Sequence, residues 1–286
     1  MNGKWLVLMG LLAWTWGVRA ADEPAVEKIE AKLLALHRDD AMRWEIFVDE
    51  ALTKKAEFVS EPVFRWTNAS RGNGQTGAMF VWTFEGRPVA MGGVFSNPEG
   101  GRRIIMHELH ALGPVRIFAR LKDSDHEWFP GAAVPLYPLP DAPPLEPEAT
   151  PRQRENQTRE LARKFTAHTI DDQGSRWQLR LLSRPLYHYR ATEGESVEGT
   201  IFAFISDAGT DPEIILMLEA VNDKGKKSWR YRAVRFSISS LFVQYKGKEI
   251  WRSLREDPTG PFGDPNHTYN LRRDRLIDEL PKSDSR

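Results

Sequence analysis

Cysteine is absent from this 286-residue sequence. Its absence excludes disulfide bonds, which an extracellular compartment would otherwise permit. It also excludes the N-terminal cysteine that bacterial lipoproteins need for acylation. The fold must therefore be held together by a packed core, and the chain is long enough to bury one large core or two modest ones.

An excess of basic residues is also missing, since 40 lysines and arginines balance 40 aspartates and glutamates. Proteins that bind nucleic acid normally carry a basic surplus or a basic stripe that neutralises phosphates. Short runs such as Lys224-Gly225-Lys226-Lys227 are better explained as turn and surface charge. The composition therefore argues against a nucleic-acid partner.

Long hydrophobic runs are missing except at the N-terminus. Lys4 precedes the apolar run Trp5–Trp16, and Val18-Arg19-Ala20 places small residues at the two positions that signal peptidase recognises. This pattern predicts a secretory signal peptide over residues 1–20. A membrane-spanning helix needs about 20 apolar residues, and this run has about 12, which favours cleavage over anchoring. We expect a secreted or periplasmic protein with no integral membrane segment after cleavage.

The chain that follows predicts a helix first and strands after it. Apolar residues recur at spacings of three and four between Val26 and Leu36, which indicates a helical lead over residues 21–58. From Pro62 onward, short apolar segments alternate with turn signals and predict a β-rich unit over residues 59–129. Residues 130–150 are dense in proline, which favours an extended linker.

Short blocks recur on the two sides of this linker. Gly77–Trp82 resembles Gly199–Phe204, and other blocks recur at nearly the same separation of about 120 residues. A duplication would pair residues 59–129 with residues 151–257, which begin with a helix, and would leave residues 258–286 as a C-terminal tail. The predicted fold class is α+β: an N-terminal helix plus two related antiparallel β-rich halves joined by the Pro-rich linker.

Several segments together resemble a group of exported, uncharacterised proteins of planctomycete-type bacteria. They are Phe80–Pro88, the Pro-rich linker, Gly199–Phe204 and Thr210–Ala220. The resemblance covers most of the chain after the signal peptide. It implies export, and it carries no activity, cofactor or catalytic residue.

A glycine-rich segment, Gly72–Gly77, matches the pattern G-x-G-x-x-G. The dinucleotide-binding motif requires a helix after the glycines, because the helix N-terminus holds the pyrophosphate. Here Ala78–Phe84 predicts another strand instead. The segment is better interpreted as a hairpin loop, and we expect no cofactor.

The segment His107-Glu108-Leu109-His110 is one residue short of the zinc-protease motif. In that motif the histidines lie at positions i and i+4 on one helix face. Here they lie at i and i+3 in a segment that predicts a strand, where His107 and His110 would point to opposite faces. We therefore predict no metal site; these two histidines are the candidates if the segment were a helix.

Aromatic residues are the most distinctive feature of the composition. Most large apolar side chains pack in the core, but an exposed ring can stack on a sugar or on a peptide side chain. Trp66, Trp128 and Trp229 have polar neighbours and are the candidates for a ligand-binding surface. A carbohydrate or a protein would be the ligand.

Two functions remain open, since no catalytic residue can be assigned from spacing alone. The first is an exported, non-enzymatic binding or structural protein of the periplasm or cell envelope. The alternative is an exported hydrolase that acts on carbohydrate or peptide at a site between the two halves. An enzyme should show a concave pocket with converging polar groups of shifted pKa, whereas a binding module should show a flat or grooved aromatic surface.

Overall fold

The computed structural model describes residues 23–68, 74–131, 133–145, 149–192, 197–206, 209–223, 226–255 and 264–278. The predicted signal peptide lies outside the described residues, as do Gly72 and Asn73 of the glycine-rich motif. Within the described part of the chain, no helix is both long enough and apolar enough to cross a membrane.

The described residues contain two α-helices, α1 (Glu23–Met42) and α2 (Pro151–Ala162). The backbone N–H of Gln153 donates to the side chain of Thr150, and the Gln153 side chain accepts from the backbone N–H of Thr150. This reciprocal pair satisfies two N–H groups that have no partner within the helix. Together with Pro151 at the first turn, it begins α2 where the sequence predicts a helix start.

Seventeen strands make up most of the described structure. In chain order they are β1 (Trp44–Phe47), β2 (Glu57–Asn68), β3 (Gln75–Phe84), β4 (Arg87–Glu99), β5 (Arg102–Ala111), β6 (Phe118–Leu121), β7 (Glu127–Trp128), β8 (Tyr137–Pro138), β9 (Phe165–Ile170), β10 (Arg176–Leu181), β11 (Tyr187–Arg190), β12 (Val197–Ser206), β13 (Pro212–Asp223), β14 (Lys226–Arg235), β15 (Ser240–Tyr245), β16 (Lys248–Ser253) and β17 (Tyr269–Asp278).

The strands form three antiparallel sheets. One has five strands in the order β17-β5-β4-β3-β2, and a small one has the order β1-β6-β7. The largest has nine strands in the order β16-β15-β9-β10-β12-β13-β14-β8, with β11 also paired to β12, and it curls into a half-barrel. The centre of β3 is buried on both faces because the five-stranded sheet is covered on both sides, so its sequence is a continuous apolar run.

Three apolar cores separate these layers. The first lies between one face of the five-stranded sheet and a cover of α1 and the small sheet, and it includes Trp44, Phe80, Trp82 and Trp128. The second lies between the five- and nine-stranded sheets and includes Met79, Met91, Ile201 and Met217. The third fills the concave face of the nine-stranded sheet beneath α2 and includes Leu161, Phe165, Phe202 and Trp229.

An ion pair within the second core connects the two large sheets. Arg87 of β4 donates to both carboxylate oxygens of Glu219 on β13, at 3.2 and 2.6 Å, and the Tyr189 hydroxyl donates to Glu219 at 2.6 Å. The Tyr189 ring lies directly over Gly199, where any β-carbon would overlap the ring. Glycine is therefore required there by the close approach of the ring to the strand.

The predicted fold class is wrong. Strands account for 56% of the structure and helices for 12%, and the molecule is a layered β protein, not an α+β fold of two related halves. The two large sheets differ in strand number and order. In the nine-stranded sheet, β9 and β10 lie between β15 and β12. The five-stranded sheet is completed by β17, which lies near the C-terminal end of the described chain.

Three segments differ from their predicted structure. The helical lead, residues 21–58, ends its helix at Met42 and continues as β1, where Trp44 and Ile46 are buried on one side. The Pro-rich linker supplies β8, which pairs with β14, and Leu139 and Leu145 enter the third core. The tail, residues 258–286, contains β17. In each case a surface elsewhere in the chain provides the pairing or burial that the local pattern does not show.

Candidate functional site

The three tryptophans predicted to bind a ligand are buried, each in a different core. Trp128 and Trp229 are 0% and 2% exposed, and Trp66 is 6% exposed. Their polar neighbours along the chain point to the opposite side of the strand, which is why those neighbours suggested exposure. Trp66 does line a cavity of about 370 Å³ beneath α1, with His37 and Arg65. None of the three presents an open ring face to solvent.

His107 and His110 lie on opposite faces of β5. His107 faces the first core, where its Nδ1 atom accepts a hydrogen bond from Trp44 Nε1 at 3.0 Å. His110 faces the nine-stranded sheet and packs against Phe236 and Tyr269. His107 and His110 are therefore not placed to bind the same metal ion.

His107 does lie beside two carboxylates from distant parts of the chain. One potential ligand atom from each of Asp40, His107 and Asp274 lies within 4.8 Å of the others. Arg43 and Arg275 each donate to both carboxylates, at distances of 2.6 to 3.0 Å. The two guanidinium groups thus balance the two negative charges that would otherwise attract a cation.

The tautomer of His107 also opposes metal binding. Burial lowers the pKa of His107 to about 4, so the ring is neutral near pH 7. Because Trp44 donates to Nδ1, the single ring proton lies on Nε2. A metal would need a lone pair on that nitrogen. The cluster is best explained as an ion-pair network that fastens α1 to β17.

We accordingly expect purified protein to contain no stoichiometric zinc after dialysis against zinc chloride, with elemental analysis as the measurement. The physical reason is that Arg43 and Arg275 already occupy the two carboxylates, and that a proton occupies the Nε2 atom of His107. His110→Ala serves as the matched control for His107→Ala. One zinc per chain that is lost in His107→Ala and retained in His110→Ala would show that the cluster is a metal site.

A different site lies between the two large sheets. It is a cavity of about 410 Å³ with walls from both of them. The five-stranded sheet contributes Phe95, Glu108 and Tyr269, and the nine-stranded side contributes Ser206, Asp211, Glu213 and Trp177. Of the segment His107–His110, only Glu108 lines this cavity. We call it the intersheet pocket.

Glu108 lies at the base of the intersheet pocket. Its side chain is half-buried, and the Tyr269 hydroxyl donates to its Oε1 atom at 2.5 Å. Burial raises the pKa of Glu108 to about 8. The Tyr269 hydrogen bond and Arg235 oppose this rise, whereas the charges of Asp211 and Glu213 add to it. Near pH 7 the side chain is therefore mainly a neutral carboxylic acid that can donate a proton.

Two further carboxylates line the same pocket from the nine-stranded side. Glu213, at the start of β13, is 5% exposed, whereas Asp211 is half-buried. Asn68 at the end of β2 donates to Asp211 Oδ1 at 2.7 Å and accepts from the backbone N–H of Thr210 at 2.7 Å. The five-stranded sheet thereby fixes the segment that carries Asp211, across the gap between the sheets.

Arg235 supports the pocket without being one of its lining groups. Its guanidinium donates to the backbone carbonyls of Ser237, Ser239 and Leu254 at 2.8 to 3.1 Å. It also lies 5.6 Å from the centre of the Tyr269 ring. The arginine therefore holds the turn after β14 against the tyrosine that bonds Glu108.

Trp177 stands at the rim of the pocket and is 52% exposed. It is the only tryptophan in the described part of the chain with an exposed ring. Its Nε1 donates to Asp171 Oδ2 at 2.8 Å, and Asp171 Oδ1 accepts from the backbone N–H groups of Gln173 and Ser175. The exposed ring is therefore held in one orientation.

Sequence reasoning missed this site because its members are far apart in the chain. Glu108 and Tyr269 lie on separate strands, and Asp211 lies just before a third, β13. Only the pairing of β17 with β5 brings the tyrosine to the glutamate. One signal was present: in a strand with His107 on one face, Glu108 must lie on the other. An acid on the face of a strand that packs against a second sheet needs a partner or a function.

No protein-family model matches this chain, nor does any curated protein or solved structure. The geometry of the intersheet pocket is therefore what indicates a function.

Proposed function

We propose that this chain is an exported hydrolase that cleaves a glycosidic bond in the intersheet pocket, with Glu108 as the general acid. The observation that carries the proposal is the position of Glu108 in the lining of the pocket. It is hydrogen-bonded to Tyr269, and the carboxylates of Asp211 and Glu213 line the same cavity. Hydrolysis of a glycosidic bond needs this pairing of a carboxylic acid with a carboxylate.

Glu108 has the properties of a proton donor. A leaving sugar departs as an alcohol only if its oxygen is protonated in the transition state, which requires an acid that is still protonated near neutral pH. A pKa near 8 meets that requirement, and its cause is burial of the carboxyl group. Burial likewise raises the pKa of the catalytic acid in enzymes whose active sites hold one buried and one solvated carboxyl group.

Asp211 is the better placed partner carboxylate. It is half-buried and faces the pocket, whereas Glu213 is almost wholly buried. The second carboxylate must either attack the sugar or remove a proton from water, and both steps require contact with the pocket contents. The hydrogen bond from Asn68 fixes its position, which reduces the entropic cost of reaching the reactive geometry.

The proposal is tested by incubating the purified protein with a panel of polysaccharides (cellulose, xylan, pectin, chitin, chitosan) and measuring released reducing ends between pH 5 and pH 10. Cleavage of at least one is expected. Because Glu108 must be protonated, the rate should fall as pH rises through about 8.

If a sugar binds but is not cleaved, the result favours a non-enzymatic binding protein. If cleavage occurs but its rate stays constant up to pH 10, Glu108 is not the general acid.

A further inference from the structure

We propose that Trp177 forms an outer subsite of the intersheet pocket, on which a second sugar ring stacks, so that the ligand is an oligosaccharide and not a single sugar. This inference rests on the proposed function and goes beyond it by naming the size of the substrate. Its basis is an exposed ring, fixed in place, at the rim of the cavity that contains Glu108.

The exposure of Trp177 requires an explanation. Leaving half of an indole in water forgoes much of the stabilisation that burial of an aromatic ring provides. Trp44, Trp82, Trp128 and Trp229 are all 2% exposed or less. Trp177, by contrast, is 52% exposed and lines the cavity that contains Glu108, so its ring is accessible to the contents of that cavity.

The orientation of Trp177 is fixed before any ligand binds. Asp171 accepts from the indole N–H and from two backbone N–H groups of the turn between β9 and β10. The hydrogen bond from Trp177 and those from the turn lower the pKa of Asp171, so its charge persists at mildly acidic pH. A ring held in this way loses little conformational freedom on binding, which favours affinity.

The polar surroundings of Trp177 fit a sugar ring. Trp177 pairs with Thr169 of β9, whereas β12 pairs with β10 only from Leu179 to Leu181. An extended peptide, which binds by adding a strand to a sheet, is therefore the competing ligand that the binding experiment must exclude. A sugar ring needs only the aromatic face, with nearby polar groups for its hydroxyls, and Asp171, Thr169 and Ser239 line the same cavity.

The distinguishing experiment measures binding separately from cleavage. Glu108→Gln protein is titrated by calorimetry with gluco-, xylo-, chito- and chitosan-oligosaccharides of one to six rings. We expect one series to bind, with affinity rising at least tenfold between one ring and three. We then expect Trp177→Ala to weaken the longer members roughly tenfold and the single sugar little, with Trp177→Phe in between.

Tyr137→Ala is the matched control, since Tyr137 is also 44% exposed but lies on β8 and does not line the pocket. It should leave every affinity unchanged. Equal losses in Trp177→Ala for one ring and for six would overturn the outer subsite, as would no loss at all, or binding only of an unrelated extended peptide. Length-dependent binding through Trp177 without cleavage by the wild type would refute the hydrolase and leave the subsite standing.

Discussion

Replacing Glu108 with glutamine is expected to lower the turnover number for saccharide cleavage by a factor of about 10² to 10⁴. Glutamine has nearly the same shape and can still accept the Tyr269 hydrogen bond, but it has no acidic proton to give to the leaving group. The affinity for saccharide should change little, because the pocket keeps its form. Initial rates at saturating substrate, together with calorimetric affinities, measure the two effects separately.

Tyr269→Phe provides a graded control for this experiment. The tyrosine hydrogen bond lowers the pKa of Glu108, so its removal should raise that pKa further and move the alkaline fall in rate to higher pH. Glu99→Gln, on the neighbouring strand and outside the pocket lining, should leave the rate unchanged. If Glu108→Gln keeps more than half of the wild-type rate, another group donates the proton.

Replacing Glu219 with glutamine is expected to lower the free energy of unfolding by about 3–5 kcal/mol, because it removes one member of a buried ion pair and leaves the others. Arg87 and Tyr189 both donate to this carboxylate. Arg232 is 1% exposed, and burial lowers its pKa to about 10 while Glu219 opposes that change. Without the negative charge of Glu219, the buried Arg232 guanidinium would lose its compensating charge, and the partly exposed Arg87 would lose both of its hydrogen bonds to the carboxylate.

Urea unfolding followed by tryptophan fluorescence measures this loss. Glu198→Gln is the matched control, since Glu198 is also paired with two arginines, Arg154 and Arg190, but its side chain is 26% exposed. Water screens that pair, so the cost there should be below about 1 kcal/mol. Similar losses in the two variants would mean that burial of Glu219 does not set its contribution.

Local features of this fold could be predicted from the sequence, because they depend on neighbouring residues. Thr150, Pro151 and Gln153 determine where α2 begins. The alternation of β5 places His107 and Glu108 on opposite faces, which is a property of any extended strand. The turn between β3 and β4 likewise follows from Glu85 and Gly86, both of which have positive φ angles.

The burial of individual side chains could not be predicted in the same way. Trp128 is buried in the first core, and its Nε1 donates to the carbonyl of His267, which lies far along the chain. Trp229 is covered by the third core, with the Arg154 guanidinium over its ring. Whether such a tryptophan is exposed depends on which layer packs against it, and that is decided by the assembly of three sheets. For the same reason the intersheet pocket could not be predicted, because Glu108 and Tyr269 belong to strands that are far apart in the sequence.

The place of β17 in the five-stranded sheet has a consequence for the order in which the fold is completed. β17 is synthesised after every other described strand, yet it carries Tyr269, which bonds Glu108, and Arg275, which bonds Asp40 of α1. A nascent chain that has reached only residue 264 contains all the carboxylates of the pocket but cannot complete it. Completion of the pocket and of the ion pairs between α1 and β17 should therefore occur together, and only after β17 has been synthesised.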